Sequence, residues 1–550
     1  MRKFYTLFFA FLCLGFHSFA QSTDKPIKNI IFMVPDGTSI DIIALTRWYN
    51  GGKPLNIEPY ICGMVRTISS DSTIADSAPA STAFAIGGKS KSGYIGVNSK
   101  KEPIINIMEI ARLQGKATGL VVTCEHQNAT PADFTAHCEN RRDYSTISEQ
   151  QLYSNINLVF SGGGKNFINA TEVNKNTCLF TLRTPENDLQ KKLSEKYRFI
   201  STMSEFNKID NSFENIWASF NSKFGSIPND IDRDSNYYPS LAQMTDKAIQ
   251  KLSNKKEGFF LLVEGSKVDW AAHANDPVGI VSEFTAFDKA VGIAIDFAKK
   301  DGNTVVVICP DHGNGGISIG NDSSSFFSKK YYYDKSQLYR MASDSIKKAK
   351  HSAEWIGNYF AEIQNSEDIT SARIQQIIKE YYGINLTEKE NAELLKIFKT
   401  KSCNNNNEIE YIIGRMFSAR SFIGWTTHGH TGEDVFLAVY HPENKMLTGI
   451  VENTDINKYF CKLFNINNKE ELSKNYFSPY TKVFDSKDFD TNIINNELII
   501  KSKTKNLSYR FIANRNYFYK IDNYKENIIN SPTLIIKSEN IFYIPRKIID

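Results

Sequence analysis

Apolar and polar positions along the chain fall into two alternating patterns. Five short runs, residues 29–34, 118–123, 258–263, 304–309 and 435–440, are almost wholly apolar and rich in β-branched side chains. Runs of this length bounded by turn residues predict strands buried on both faces. Between them, apolar residues recur at helical spacing. Residues 104–114 follow Pro103 and stop at Gly115, and residues 278–300 end in Lys299-Lys300 and meet Gly302. Proline before, and lysine and glycine after, are helix boundary signals. The alternation predicts an α/β fold: a largely parallel central sheet with helices on both faces. Ligands of such sheets gather at the carboxyl ends of the strands.

Three stretches break this pattern. Residues 4–16 are apolar, follow Arg2 and Lys3, and lead to Ser18-Phe19-Ala20. A charged start, a short apolar run and small residues predict a secretory signal over 1–20 and a periplasmic or secreted protein. Cys13 lacks small residues directly before it, which argues against a lipoprotein anchor. About residues 314–423, helical patterns rich in Lys, Asn and Gln predict an insertion on the sheet. Residues 471–550 alternate over short runs and predict a small β-rich extension, which leaves 21–470 as the catalytic domain.

Composition narrows the classes. With 41% apolar, 23% charged and 12% aromatic residues, the 550-residue chain has globular composition, which excludes a mostly disordered protein. Sixty-five basic against 61 acidic residues leave a net charge of +4, without the basic block of a protein dedicated to nucleic acid. No run after the leader is long enough to span a membrane. Seven cysteines follow the leader, with no close CxxC spacing. Most read as small buried apolar residues, and a Cys124–Cys138 pair stays an open alternative.

Candidate chemistry collects beside the predicted strands. Pro35-Asp36-Gly37 follows the first, Glu264-Gly265 with Asp269 and His273 the third, and Asp311-His312-Gly313 the fourth; His428-Gly429-His430-Thr431-Gly432 precedes the fifth. A lone Asp-Gly is more often a turn, and a lone His more often hydrogen-bonded or on the surface. Carboxylates and imidazoles gathered beside four strands instead match the ligand preference of divalent metals, and predict a multi-metal rim. Asp76-Ser77-Ala78-Pro79, followed by an Ala-rich stretch, predicts a helix start with Ser77 at its N-terminus. Alone it reads as a plain cap. Beside metals, Ser77 becomes a candidate nucleophile, since a metal can activate its hydroxyl. After the second strand come Asn128-Ala129-Thr130-Pro131 and Arg141-Arg142. Thr130 offers a hard oxygen ligand, and Arg141 a planar fork for two phosphate oxygens.

Taken in order, these motifs resemble bacterial alkaline phosphatase over roughly residues 27–460. The resemblance implies a metal-dependent phosphomonoesterase that splits phosphate monoesters through a phosphoserine intermediate. It implies two Zn²⁺ and one Mg²⁺: Asp269, His273 and His430 on the first zinc, Asp36, Asp311, His312 and Ser77 on the second, and Asp36, Thr130 and Glu264 on magnesium. Ser77 becomes the nucleophile and Arg141 the phosphate clamp. His428 competes with His430, and the His-Thr-Gly context favours the latter. Small phosphate esters are the implied substrates, and a homodimer the implied assembly. Two departures stand out: Asn128, where the family often has Asp or His, and Trp270, where some members carry Lys.

Three rival readings carry their own discriminators. A sulfatase needs Arg at the fifth position of its Cys/Ser-x-Pro-x-Arg motif, where this chain has Ser81. A phosphodiesterase of the same superfamily usually uses Thr as nucleophile and lacks the magnesium-type residues Thr130 and Glu264. A catalytically dead binding protein, with its work done by 471–550, has no reason to keep every ligand.

Overall fold

The computed structural model describes residues 27–163, 189–210, 215–220, 225–320, 344–363, 369–400, 405–421 and 423–548. The predicted leader, Cys178 and Cys403 lie outside the described residues.

Ten strands form the central sheet: β1 (Asn29–Pro35), β2 (Ile61–Arg66), β3 (Ala117–Glu125), β4 (Leu158–Gly162), β5 (Arg198–Ile200), β6 (Ile216–Ser219), β7 (Phe259–Gly265), β8 (Thr304–Ile308), β9 (Val435–Tyr440) and β10 (Gly449–Glu452). Their spatial order is β10-β2-β9-β8-β1-β7-β3-β4-β6-β5. Nine run parallel, and β9 alone is antiparallel to both neighbours, β8 and β2. The five predicted strands are the five strands β1, β3, β7, β8 and β9.

Period-2 alternation sends successive side chains of the buried strands to opposite layers. On β1, Ile31 and Met33 enter one core and Ile30, Phe32 and Val34 the other. The first core is covered by α1 (Ile40–Tyr49), by the helix Leu241–Leu252 and by the long helix Pro277–Asp301. That long helix starts with Asp276 accepting from the Val278 N–H at 3.0 Å and ends at Gly302, φ +70°. The second core is covered by α2 (Ser77–Ile86), α3 (Ile107–Leu113) and the helix Asn453–Leu463. Helices Ala353–Ile363, Ser371–Ile377, Glu388–Thr400 and Asn405–Ser418 follow β8 and pack on the first core.

The C-terminal region is β-rich. Five strands, β11 (Phe489–Ile494), β12 (Glu497–Ser502), β13 (Leu507–Ile512), β14 (Tyr517–Asp522) and β15 (Lys525–Asn530), form an antiparallel meander. It has its own small core around Leu498, Tyr509, Phe511 and Phe518. Phe477, Leu534, Ile536 and Tyr543 instead join the second core of the main sheet.

Cys124 and Cys138 do not pair. Both are free, buried thiols, like Cys309 and Cys461, and burial pushes the Cys138 thiol up to about 12. No helix among the described residues is long and apolar enough to cross a membrane.

Candidate active site

Each of the parallel strands β1, β7 and β8 delivers its chemistry just past its carboxyl end. Asp36 leaves β1 into a turn at Gly37, φ +60°, where a Cβ would lie 2.8 Å from the Asp269 Cβ. Glycine is needed there twice over, for the left-handed backbone and for the close approach of Asp269. The Gly37 N–H donates to Asp311 Oδ1 at 3.1 Å, tying the β1 and β8 ends together.

His430 arrives from the other direction. It precedes β9, and in an all-parallel sheet a residue before a strand lies at the opposite rim. The reversal of β9 brings it to the carboxyl rim. A two-residue antiparallel pairing of His430-Thr431 with Gly313-Asn314 then fixes it beside the β8 loop.

The histidines share one arrangement. Nδ1 of His312 faces the Gly313 carbonyl at 3.2 Å, Nδ1 of His430 the Ala75 carbonyl at 2.9 Å, and Nδ1 of His273 the His428 carbonyl at 2.5 Å. A carbonyl only accepts, so each Nδ1 carries a proton, and Nε2 is the ring nitrogen left to face a ligand. All three Nε2 atoms turn to carboxylates: His273 to Asp269 Oδ2 at 3.4 Å, His430 to Asp269 Oδ1 at 3.8 Å, and His312 to Asp311 Oδ2 at 3.3 Å and Asp36 Oδ1 at 3.6 Å. The His312 and His430 rings stack with centroids 3.7 Å apart.

Two ligand sets result, with donor atoms within 4.8 Å of one another: Asp36, Asp311 and His312, and Asp269, His312 and His430. His312 stands between them, and His273 joins the second through Asp269. Asp36 Oδ1 and Asp311 Oδ2 are buried without a hydrogen-bond partner among the described residues. Buried carboxylates in that condition, facing imidazole nitrogens, fit divalent cations. Burial, then Asp311 and Asp269, hold the Asp36 carboxyl well above its ordinary range. Burial and Asp311 push Glu264 up to about 8. Burial would raise Asp269 too, but His273 and the other imidazoles overcome it and hold the carboxyl far down.

Ser77 is the first residue of α2, not its cap. The cap position belongs to Asp76, whose side chain makes no cap bond and instead meets the Arg141 guanidinium and the Gly93 N–H. Ser77 is buried, and its hydroxyl lies 3.1 Å from His312 Nε2. Arg141 also donates to Asn128 Oδ1 at 3.2 Å, so its fork stands beside the start of α2. Asn128 caps the short helix Ala129–Asp133. Thr130 faces Ser81 on α2 at 3.1 Å, and Glu264 accepts from the Cys124 thiol at 3.6 Å.

Sequence reasoning missed Asn314, Ser81 and Lys267. Asn314 donates to Asp269 Oδ1 at 2.7 Å and fixes that carboxylate; its place in Asp-His-Gly-Asn was the available signal. Lys267 is 1% exposed, bonds Glu354 at 2.6 Å and sets its ammonium 4.9 Å from the centre of the Trp270 ring. A cation thus still approaches position 270 from one side.

The alkaline phosphatase family model matches residues 27–466, most of the chain. The chain belongs to the alkaline phosphatase family. Alkaline phosphatase 3 of Bacillus subtilis is 32% identical over 463 residues, covering 82% of this chain and 91% of that protein. The repressible alkaline phosphatase of Saccharomyces cerevisiae is 30% identical, covering 85% and 87%. The solved cold-active alkaline phosphatase of Shewanella sp. aligns with a TM-score of 0.65 at 26% identity, over 80% of this chain and all of that one. This alkaline phosphatase is therefore a phosphomonoesterase, and phosphate esters are its substrates. Members of the family bind metals, in keeping with the two ligand sets.

Proposed function

We propose that the protein is an exported phosphomonoesterase that works through a phosphoserine at Ser77, on a centre of two Zn²⁺ and one Mg²⁺. The observation that carries this reading is the Ser77 hydroxyl, 3.1 Å from His312 Nε2 at the junction of the two ligand sets. Asp269, His273 and His430 would hold the first zinc, and Asp36, Asp311 and His312, with the Ser77 hydroxyl, the second. Asp36, Glu264 and Thr130 would hold magnesium, with Asn128 adding only a neutral oxygen. Bound cations supply charge neutralisation to the attacking and leaving oxygens and ease loss of the Ser77 proton.

The chain's own groups do the rest. Ser77 Oγ, its proton released to water, attacks phosphorus in line; the P–O bond to the leaving group breaks, and the alkoxide departs with the electron pair and takes a proton from water. Water then attacks the phosphoserine, the Ser77–phosphorus bond breaks with its electron pair going to Ser77 Oγ, a proton restores the hydroxyl, and inorganic phosphate is released. Arg141, already beside Asp76 and Asn128, orients two phosphate oxygens through its fork. The N-terminus of α2 directs free N–H groups at the same anion. In this reading residues 21–470 are the catalytic domain, 314–423 its insertion and 471–550 an extension; residues 1–20 direct export, and the working form is a homodimer.

Hydrolysis of p-nitrophenyl phosphate at pH 8–10, before and after EDTA and with zinc restored, tests this directly. The expected result is activity that EDTA abolishes and zinc returns, with Ser77→Ala lowering kcat at least about 10³-fold. Full zinc occupancy without turnover sinks the reading. Faster hydrolysis of bis-p-nitrophenyl phosphate would transfer it to diesters.

A further inference from the structure

The loop that carries His430 is tied to the helix Lys267–His273 by two reciprocal bonds. His273 donates from Nδ1 to the His428 carbonyl at 2.5 Å, and His428 donates from Nδ1 to the His273 carbonyl at 2.9 Å. Each ring holds the other's peptide. His273 ends its helix, so its carbonyl is one that helix geometry leaves without an internal donor. The His428 ring supplies that donor from 155 positions away.

The clasp is backed on both sides. The Tyr411 ring lies 4.8 Å from the His428 ring, centroid to centroid. The Asn275 amide, oriented by its neighbours so that its nitrogen donates to the carbonyls of Ala272 and Thr427 at 3.0 Å each, spans the same gap, and its oxygen lies 3.3 Å from His428 Nδ1 as a second, longer acceptor. The loop itself is pinned where Thr426 and Thr427 donate to the Gly315 carbonyl at 3.1 and 3.2 Å.

We infer that His428 is a positioning residue for the metal centre: its ring locks the helix end that carries His273 against the loop that carries His430. The inference rests on the zinc reading above. His428 spends Nδ1 on a carbonyl, while its own carbonyl selects the His273 tautomer whose Nε2 faces Asp269. The histidine that a motif count would make a rival ligand thus orients the two neighbouring ones. Such outer partners of metal-bound histidine typically alter affinity by about 10- to 100-fold.

The test is a chelator-buffered zinc titration of the metal-stripped full chain and its His428→Ala, His428→Asn and His428→Gln variants. Thermal unfolding of the stripped chains confirms that each variant folds. Asparagine puts an amide nitrogen where Nδ1 lies, glutamine puts it where Nε2 lies, and alanine removes the donor. His428→Ala and His428→Gln are expected to weaken one zinc equivalent about 10- to 100-fold and leave the other unchanged. His428→Asn is expected to recover most of that loss. Parent-like zinc affinity in His428→Ala overturns the inference while leaving the zinc centre standing. Asparagine as weak as alanine overturns it too, since the imidazole itself would then be a ligand. A parent chain that binds no zinc overturns the centre and the inference together.

Discussion

At the scale of single residues, Arg141 is held at both its backbone and its guanidinium. Its peptide N–H is fixed to the Gly93 carbonyl at 2.8 Å, while the guanidinium holds Asp76 and Asn128 at the start of α2. In the mechanism proposed above, a phosphate dianion over Ser77 would compete for that fork with a better-matched pair of oxygens. Charge-assisted hydrogen bonds of about 1.5–3 kcal/mol put the expected effect of Arg141→Ala at a roughly 10- to 100-fold rise in KM and in the inhibition constant of inorganic phosphate. Steady-state kinetics with p-nitrophenyl phosphate measure both, and an unchanged KM would remove Arg141 from substrate binding. The residue types of the site were legible in the sequence because metal chemistry permits few donors. What brings His430 to them was not. Adjacency to a strand does not tell its direction, and only the antiparallel course of β9 puts a residue that precedes it on the rim that Asp36 and Asp311 follow.

At the scale of elements, legibility tracked burial. β1, β3, β7, β8 and β9 announce themselves because both their faces lie under helices. β2 buries only Val65, and β10 is exposed or half-buried throughout, so neither shows a run or a clean alternation. β4 and β6 are fully buried, but Leu158–Gly162 ends in Ser-Gly and Ile216–Ser219 spans four residues. One helix start was read early for a physical reason. The expected helix from residue 104 begins at Ile107, where Asn106 and Glu109 form a capping box, with Asn106 accepting from the Glu109 N–H at 2.9 Å. Glu109 has a second task, since its Oε1 meets buried His137 at 3.2 Å. Asn106→Ala removes the cap alone and is expected to cost about 1–2 kcal/mol, read as a lower unfolding midpoint in urea; an unchanged midpoint would mean the box contributes nothing.

A second element-scale prediction concerns pH. Glu410, on the helix Asn405–Ser418, faces a cavity of about 230 Å³ shared with Glu354, Asp276 and Trp270. Burial first, then Glu354, pushes its carboxyl up to about 8. The folded chain therefore holds this proton more tightly than the unfolded chain, whose carboxyl titrates near 4.5. Stability from this group is present in full below about pH 4.5 and falls as pH rises through about 8. Glu410→Gln has no proton to lose. Its thermal midpoint is expected to fall less than the parent's between pH 6 and pH 9, by the equivalent of at least about 1 kcal/mol, and parallel curves would exclude Glu410 from the pH response.

At the scale of the whole molecule, the C-terminal residues are a brace on the catalytic body. Phe477, Leu534, Ile536 and Tyr543 fill the same core as Phe32 and Phe84. Arg515 bonds Glu149 at 2.5 Å and lies over the Tyr153 ring at 4.4 Å, while Asn514 bonds Gln150 and Glu149 at 2.9 Å each. Ser538 donates to Glu139 at 2.8 Å, and Lys101 joins Glu139 and Glu539 at 2.9 and 2.7 Å. Glu139 stands two residues before Arg141, so the brace ends against the segment that carries Arg141. A chain ending at residue 476 uncovers the apolar side of that core and frees the Arg141 segment together. The expected outcome is a thermal midpoint lower by at least about 5 °C and a KM that rises by a larger factor than kcat falls, since Ser77 and the two candidate ligand sets stay in place. Calorimetry and steady-state kinetics on the two chains separate the effects: a lower midpoint with unchanged KM makes the brace purely structural, and a truncated chain equal to the parent in both makes it an independent appendage.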